Sequence, residues 1–166
     1  TLYNHTHVIF KFVKLNSEVV YLHYIDPRRF GVIDAHIGSY WQEHVLLHKL
    51  GCEPLEQLRL GRYLWEKSRS RSVSIKSFIM NSHIVVGVGN IYACEALFMS
   101  SIHPERKSSS LSLENYRTLA HAIKKVLRKA IKAGGTTLRD YQKVNGDVGA
   151  FTVSLNVYGR KSQDCG

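Results

Sequence analysis

The chain has 166 residues and a mass of 18.9 kDa, with 44% hydrophobic and 22% charged residues, a composition that suits one domain or two small ones with an ordinary core and sets aside disorder, fibre and coiled coil. Its 23 Lys and Arg against 13 Asp and Glu give a formal charge of +10 and an isoelectric point of about 9.7, which favours a polyanionic partner such as nucleic acid or an anionic surface. No apolar run approaches the roughly 18 residues of a membrane span and no signal-peptide pattern opens the chain, so an intracellular protein is expected.

From His7 to Ile37 the signals are those of strands. Val8, Phe10 and Phe12 alternate with Ile9 and Lys11, Asn16-Ser17 supplies a turn, and Val19 to Ile25 is rich in β-branched and aromatic residues. Asp26-Pro27 breaks the run and Gly31-Val32-Ile33 restarts it. After Gly38 the character changes: Ser39 reads as an N-cap, Trp41 to Leu50 has helical length and Gly51 reads as its C-terminal stop. A domain boundary is placed here. Further helices are expected over Leu60 to Arg69, Val73 to Met80 and Asn90 to Met99, after which His103-Pro104 interrupts the helical pattern. Ser112 caps the clearest element, in which Tyr116, Leu119, Ala120, Ile123, Val126, Leu127, Ala130 and Ile131 recur at helical spacing before Gly134-Gly135 ends it. Its opposite face carries Arg117, Lys124, Lys125, Arg128, Lys129 and Lys132, and a second basic cluster gathers Arg59, Arg62, Lys67, Arg69, Arg71 and Lys76. The basicity is focused on these segments.

Cys52, Cys94 and Cys165 are an odd and widely spaced set, which argues against a disulfide framework. The chain opens at Thr1 directly into a strand-like stretch and ends at Gln163-Asp164-Cys165-Gly166, the way the first ligand pair of a zinc knuckle often begins. A fragment of a longer protein is expected.

Three segments carry candidate chemistry. Gly87-Val88-Gly89-Asn90 leads into a helix whose N-terminal N–H groups and dipole suit a phosphate, with Asn90 as N-cap and donor; the alternative is a tight turn between two helices. A dinucleotide loop is excluded, since the segment lacks a third glycine and the residues before it read as helical, not as the strand that loop requires. Asp26-Pro27-Arg28-Arg29-Phe30-Gly31 offers guanidinium groups for base edges and an aromatic wedge for opened DNA, or else an Asp26–arginine salt bridge with Phe30 in the core. Gly134 to Tyr141 reads as a ligand clamp rich in backbone donors or as a cap and linker. The nine histidines show no metal-ligand spacing. No nucleophile is identified.

Taken together, Asp26 to Gly31, Leu50-Gly51-Cys52-Glu53-Pro54-Leu55, Ile75-Lys76, Val86 to Ala93, Ile102-His103-Pro104, Gly134 to Tyr141 and Val157-Tyr158-Gly159-Arg160-Lys161 closely resemble the formamidopyrimidine-DNA glycosylase family, in that family's order and over nearly the whole chain. The resemblance implies an α+β fold: the last strands of an N-terminal β-sandwich (1–38), a helix-two-turn-helix DNA-binding domain (39–150) and the truncated start of a zinc finger (151–166). It implies base-excision repair, in which a glycosylase and lyase flips an oxidised purine such as 8-oxoguanine or a formamidopyrimidine out of damaged double-stranded DNA, cuts its glycosidic bond and nicks the strand. The family's Schiff-base proline, adjacent glutamate and lysine would precede Thr1, so the chain alone is expected to bind DNA weakly and cut nothing.

Carried over by motif, His5, Arg28 and Arg71 resemble DNA-backbone or lesion-strand contacts, Arg28 also facing the orphaned base with Phe30 as wedge. Lys76 and Asn90 would hold phosphates flanking the flipped nucleotide and Tyr158 another. Backbone amides of Thr137, Leu138, Arg139, Asp140 and Tyr141 would clamp the extruded base. Cys165 matches the first of four zinc cysteines, so zinc is expected in the full-length parent and not on this chain alone. A monomer in a bacterial-type cytoplasm, associated with the nucleoid when bound to DNA and with no membrane partner, is expected. The sequence departs from the family's pattern in Asn81, where Asp is usual, in Arg71, where lysine is usual, and in a longer Phe12 to His23 segment. The alternative is a non-catalytic, basic helix-two-turn-helix protein that binds nucleic acid. A decayed remnant is the third possibility, since half a sandwich leaves open sheet edges.

Overall fold

β-Branched and aromatic residues on both sides of Asn16-Ser17 form a hairpin. In a computed structural model, which describes residues 3–135 and 155–163, β1 (Thr6–Val13) pairs antiparallel with β2 (Val19–Ile25), setting Phe10 opposite Leu22 and Phe12 opposite Val20. The Lys14 N–H donates to the Glu18 carbonyl at 2.8 Å, and Ser17 turns the chain with a positive φ of 64°. An irregularity between Thr6 and Val8 shifts the register at the open end. Among the described residues no strand forms at Gly31-Val32-Ile33, against expectation. Asp26 gathers the chain into a turn, and the residues beyond it find no ladder partner, without which extended backbone is not a strand.

The chain divides into two units, residues up to Ser39 and residues from Tyr40 onward. The second unit is helical. Its first expected helix does not form: Trp41–Glu43 is a single 3₁₀ turn and residues 44–49 are successive turns. Val45, Leu46 and Leu50 stay 69%, 51% and 42% exposed, so no buried face supports a helix there. The His44 ring also accepts the Leu46 N–H at 3.2 Å, competing with the helical ladder.

The other expected helices are present. α1 spans Leu60–Ser68, α2 Ile75–Ile79, α3 Asn90–Met99 and α4 Leu113–Lys132. Ser112 closes a capping box with Asn115, and Gly134 and Gly135 return N–H groups to Ile131 and Ala130 at 2.9 and 2.8 Å, a left-handed stop at the other end. The apolar stripe of α4 is buried from Tyr116 to Ala130, while Ile131, expected in that stripe, is 66% exposed on the last turn. α1 and α3 both pack on α4. α1 comes close because residue 61 is glycine: a Cβ there would lie 2.8 Å from the Arg117 Cα.

α2 is shorter than the Val73 to Met80 run, because Ser74 is extended and its Oγ accepts the Ser77 N–H at 3.2 Å. The connection from α2 to α3 is stitched to a strip of chain before α1. Gly51 and Cys52 donate to the Ser82 and Ile84 carbonyls at 2.8 and 3.3 Å, and Val86 donates to the Cys52 carbonyl at 3.2 Å. Gly51 is therefore not a helix stop; a Cβ there would run into the Ile84 carbonyl, so close backbone approach requires glycine. Asn81 organises the turn, its Oδ1 accepting the His83 N–H at 2.9 Å and its carbonyl the Ile84 N–H at 2.9 Å. An uncharged carboxamide thus fills the turn-forming role expected of an aspartate. No helix among the described residues is long and apolar enough to cross a membrane.

Candidate nucleic-acid interface

The residues before α3 turn rather than coil into a helix, which differs from the expectation that helix leads up to Gly87. Gly87 has a φ of +76°, a conformation that favours glycine. Gly89 sits at φ −78° and ψ −180°, extended backbone open to any residue. A Cβ at either position would meet no atom within 4 Å. Gly89, not Asn90, is the N-cap: the α3 ladder begins with the Ala93 N–H on the Gly89 carbonyl at 2.9 Å, and no side chain caps the helix. Asn90 is thereby released from capping. It is exposed, and its Oδ1 receives only the Cys94 thiol at 3.8 Å, so its amide NH₂ has no partner among the described residues. Uncapped N–H groups, the positive end of the dipole and a free amide donor stand together at one helix entrance.

Lys76 is the second residue of α2, half-buried, with its backbone N–H on the Pro104 carbonyl at 3.2 Å and its ammonium unpaired among the described residues. Arg71 is exposed in the α1–α2 connection, where its carbonyl accepts the Ser108 Oγ–H at 3.3 Å and its guanidinium is likewise unpaired among the described residues. Other members of the two basic clusters are held by partners within the fold. Arg69 lies over the Trp65 ring at 4.8 Å and donates to the Leu111 and Trp65 carbonyls at 2.9 and 3.1 Å. Arg62 pairs with Glu66 at 2.8 Å, Arg117 with Glu114 at 3.1 Å, and Lys124 donates to the Gln57 carbonyl at 2.7 Å. The surplus charge available to a ligand is smaller than a count along the sequence suggests.

Tyr158 is tied to the second unit's core by a residue that none of the sequence motifs singles out. Glu95, in the otherwise apolar α3 segment Asn90-Ile91-Tyr92-Ala93-Cys94-Glu95-Ala96-Leu97, is 1% exposed. Its Oε2 accepts the Asn156 N–H and side-chain amide at 2.9 and 2.8 Å, and its Oε1 accepts the Val157 and Tyr158 N–H groups at 2.9 and 3.0 Å. Burial pushes the carboxyl up, but the Val157, Tyr158 and Asn156 donors outweigh it and hold Glu95 below its ordinary range. A single carboxylate inside an apolar helix is the signal that could have found it, because such a group requires partners.

In the first unit, Asp26 shapes the arginine loop. Its Oδ2 accepts the Gly31 N–H at 2.7 Å, and its Oδ1 accepts the Arg29 and Arg28 N–H groups at 2.9 and 3.2 Å. The Gly31 N–H contributes most to holding this carboxyl below the usual range, with Arg29, Arg28 and the Tyr24 hydroxyl adding to it. The alternative of an Asp26–arginine salt bridge over a buried Phe30 is thus overturned: Asp26 binds backbone and Phe30 is 83% exposed. The Arg28 guanidinium lies 5.8 Å from the Phe30 ring centroid. His5, with a positive φ of 65°, accepts the Asp26 N–H on its carbonyl at 3.1 Å, which puts His5 and the Arg28–Phe30 loop at the same end of the hairpin.

Thr137, Leu138, Arg139, Asp140 and Tyr141 and the metal candidate Cys165 lie outside the described residues. Among the described residues no group of three or more His, Cys, Asp or Glu could hold a metal. Burial pushes the Cys52 thiol up, away from the thiolate a metal needs. The described residues therefore do not fit a zinc site.

Comparison with known proteins agrees with this architecture. A family model described as the formamidopyrimidine-DNA glycosylase H2TH domain matches residues 50–142. A formamidopyrimidine-DNA glycosylase of Alcanivorax borkumensis is 53% identical over 144 residues, covering 87% of this chain and 53% of its own length. One of Xylella fastidiosa is 48% identical over 157 residues, covering 92% of this chain and 55% of its own. The chain spans about half the length of the curated relatives it matches. Among solved structures, the MutM (Fpg) protein from Thermus thermophilus superimposes with a TM-score of 0.81 at 33% identity, covering 99% of this chain and 61% of that one. The Lactococcus lactis Fpg in complex with DNA containing an abasic site superimposes with a TM-score of 0.85 at 30% identity, covering 99% and 59%. With a family match over more than half of its residues, on the same helices and two-turn connection that the geometry singles out, the chain belongs to the formamidopyrimidine-DNA glycosylase H2TH family.

Proposed function

We propose that this chain supplies the DNA-gripping and lesion-strand-holding part of a DNA glycosylase and lyase that excises oxidised purines from damaged double-stranded DNA. The observation that carries this is the entrance to α3, where an uncapped helix end, open space over Gly87 and Gly89 and the free Asn90 amide form a receptor for one backbone phosphate. Lys76, Arg71 and Tyr158 of the second unit add further phosphate contacts, and in the first unit His5 is a backbone contact of its own. Phosphate contacts set the register on the duplex. Arg28 and Phe30 act on the bases: the guanidinium offers paired donors to the orphaned base, and the exposed ring fills the gap left by the extruded one. The Thr137 to Tyr141 amides clamp the flipped base in this reading.

The protein works where bacterial DNA is, in the cytoplasm. Zinc enters only through Cys165 and partners outside the described residues, and no step of this reading passes through it. Support comes from the relatives' activity and from the solved complexes of similar proteins with DNA containing an abasic site or Fapy-dG. The test is a titration of the chain with a duplex carrying a tetrahydrofuran abasic analogue, the undamaged duplex and a matching RNA. Binding about tenfold tighter to the abasic duplex is expected, a preference of ~1.4 kcal/mol. Equal affinity for all three overturns the lesion reading in favour of a non-catalytic nucleic-acid-binding module.

A further inference from the structure

Tyr158 and Asn90 are 68 positions apart in sequence, yet one carboxylate joins the segments that carry them. Successive N–H groups of Asn156, Val157 and Tyr158 converge on one anion, the arrangement by which backbone forms an anion-binding nest. Here the anion is Glu95, supplied by α3 itself. Asn90 stands at residue 1 of that same helix, about 7.5 Å along the axis from Glu95 at 1.5 Å per residue. The far side of the nest is closed by Arg160, whose Nη1 donates to the Asn156 carbonyl at 2.9 Å and whose Nε donates to Gln163 at 3.1 Å. Gly159, with φ +83°, turns the chain immediately after Tyr158. The Tyr158 hydroxyl itself has no partner among the described residues.

We infer that Glu95 is a positioning residue for DNA binding: by holding the 156–158 backbone on α3 it fixes Tyr158 relative to the α3 entrance. This rests on the proposed reading of Tyr158 and Asn90 as phosphate contacts. Glu95 touches no DNA; it acts through Tyr158. Asn90, built into the helix, does not depend on it.

The structure thus gives the two contacts different sensitivities. Glu95→Gln keeps the side chain's size but turns an NH₂ donor toward N–H donors, so it keeps part of the nest and repels the rest. The experiment is a set of double-mutant cycles on the full chain, reading affinity for the tetrahydrofuran duplex in Glu95→Gln, Tyr158→Phe, Asn90→Ala and the two double variants containing Glu95→Gln. Expected are a loss of about 5- to 10-fold for Glu95→Gln and for Tyr158→Phe, a Glu95→Gln/Tyr158→Phe double no weaker than the poorer single, and a Glu95→Gln/Asn90→Ala double whose losses multiply. Amide exchange should quicken at 156–158 and stay unchanged in α4.

Wild-type affinity in Glu95→Gln, or losses that multiply with Tyr158→Phe, overturns the positioning role. A loss accompanied by faster exchange throughout α4 also overturns it, assigning Glu95 to global stability. If Tyr158→Phe and Asn90→Ala both bind normally, the phosphate reading itself has failed and takes the positioning role with it. Should Glu95→Gln not fold, Asn156→Ala removes one donor from the nest and leaves the carboxylate; a loss of about 2-fold that vanishes in the Tyr158→Phe background is expected, and a loss that persists there refutes the inference.

Discussion

Gly89→Ala adds one methyl group at the entrance to α3, where a Cβ meets no atom within 4 Å and the backbone lies at φ −78° and ψ −180°. Two effects on stability oppose each other. Alanine narrows the unfolded ensemble and stabilises by about 0.4–1 kcal/mol, whereas alanine is a poorer N-cap than glycine by about 0.5–1 kcal/mol. The net change should lie within about 0.5 kcal/mol. DNA binding is another matter, because the methyl occupies the space through which a phosphate approaches the uncapped N–H groups. Losing one such charge-assisted contact costs about 1.5–3 kcal/mol, a weakening of roughly 10- to 150-fold. Thermal unfolding and fluorescence anisotropy with the tetrahydrofuran duplex measure the two separately. Unchanged affinity at unchanged stability refutes the argument that glycine is kept here for a ligand; a large loss of stability refutes the argument that the space is empty in the free protein.

Three further predictions concern the frame that carries this site. Gly61→Ala gains about 1 kcal/mol of helix propensity, but its Cβ lies 2.8 Å from the Arg117 Cα and 3.0 Å from the Tyr116 carbonyl oxygen, both backbone, so α1 must lift from α4. Overpacking of this kind costs about 1–3 kcal/mol, and a net loss near 1 kcal/mol in urea unfolding is expected; a stabilised variant would show that the helices part freely. Ser101 ends α3 with a φ of 54°, its neighbour Ile102 donating to the Leu97 carbonyl at 3.0 Å. Relieving that conformation with Ser101→Gly should raise stability by about 0.5–1 kcal/mol, and an unchanged or lowered melting temperature would contradict it. Glu95 is held below its ordinary value of 4.5 by the 156–158 donors. A lowered carboxyl stabilises fully above the unfolded value and loses that contribution as pH falls through the folded one. The stability advantage of wild type over Glu95→Gln should therefore be constant from neutrality to about pH 5 and shrink progressively as the pH falls further; a gap that does not shrink on acidification would refute the linkage.

What can be read from the sequence follows how local each cause is. α4 is legible because its stripe from Tyr116 to Ala130, the Ser112 cap and the Gly134-Gly135 stop all agree within one segment. The hairpin is legible for the same reason. Trp41 to Leu50 has helical length and a cap-like serine but no surface to pack on, which is a property of the rest of the fold. Gly51 shows the opposite error: it looks like a helix stop, yet its role is close contact with Ile84, 33 positions away.

The candidate site divides similarly. Asn90 is legible as a helix-entrance residue, but the cap falls on Gly89, because which carbonyl opens the ladder is decided by a single hydrogen bond. An exposed Phe30 and a salt bridge over a buried one are equally compatible with the sequence; only the commitment of the Asp26 oxygens to backbone N–H groups separates them. Glu95 carries no local signature of its role because its partners begin 61 positions later.

Asn90 and the phosphate at the α3 entrance are the centre of the proposed function. The most direct measurement is the affinity of Asn90→Ala and Lys76→Ala for the abasic-analogue duplex across a salt series. Asn90→Ala should bind about 5- to 30-fold more weakly, as expected for the loss of ~1–2 kcal/mol of hydrogen bonding. Lys76→Ala should lower the salt slope by about 1. Wild-type affinity and an unchanged slope in both variants would contradict the claim that this helix-two-turn-helix grips the DNA backbone at these residues.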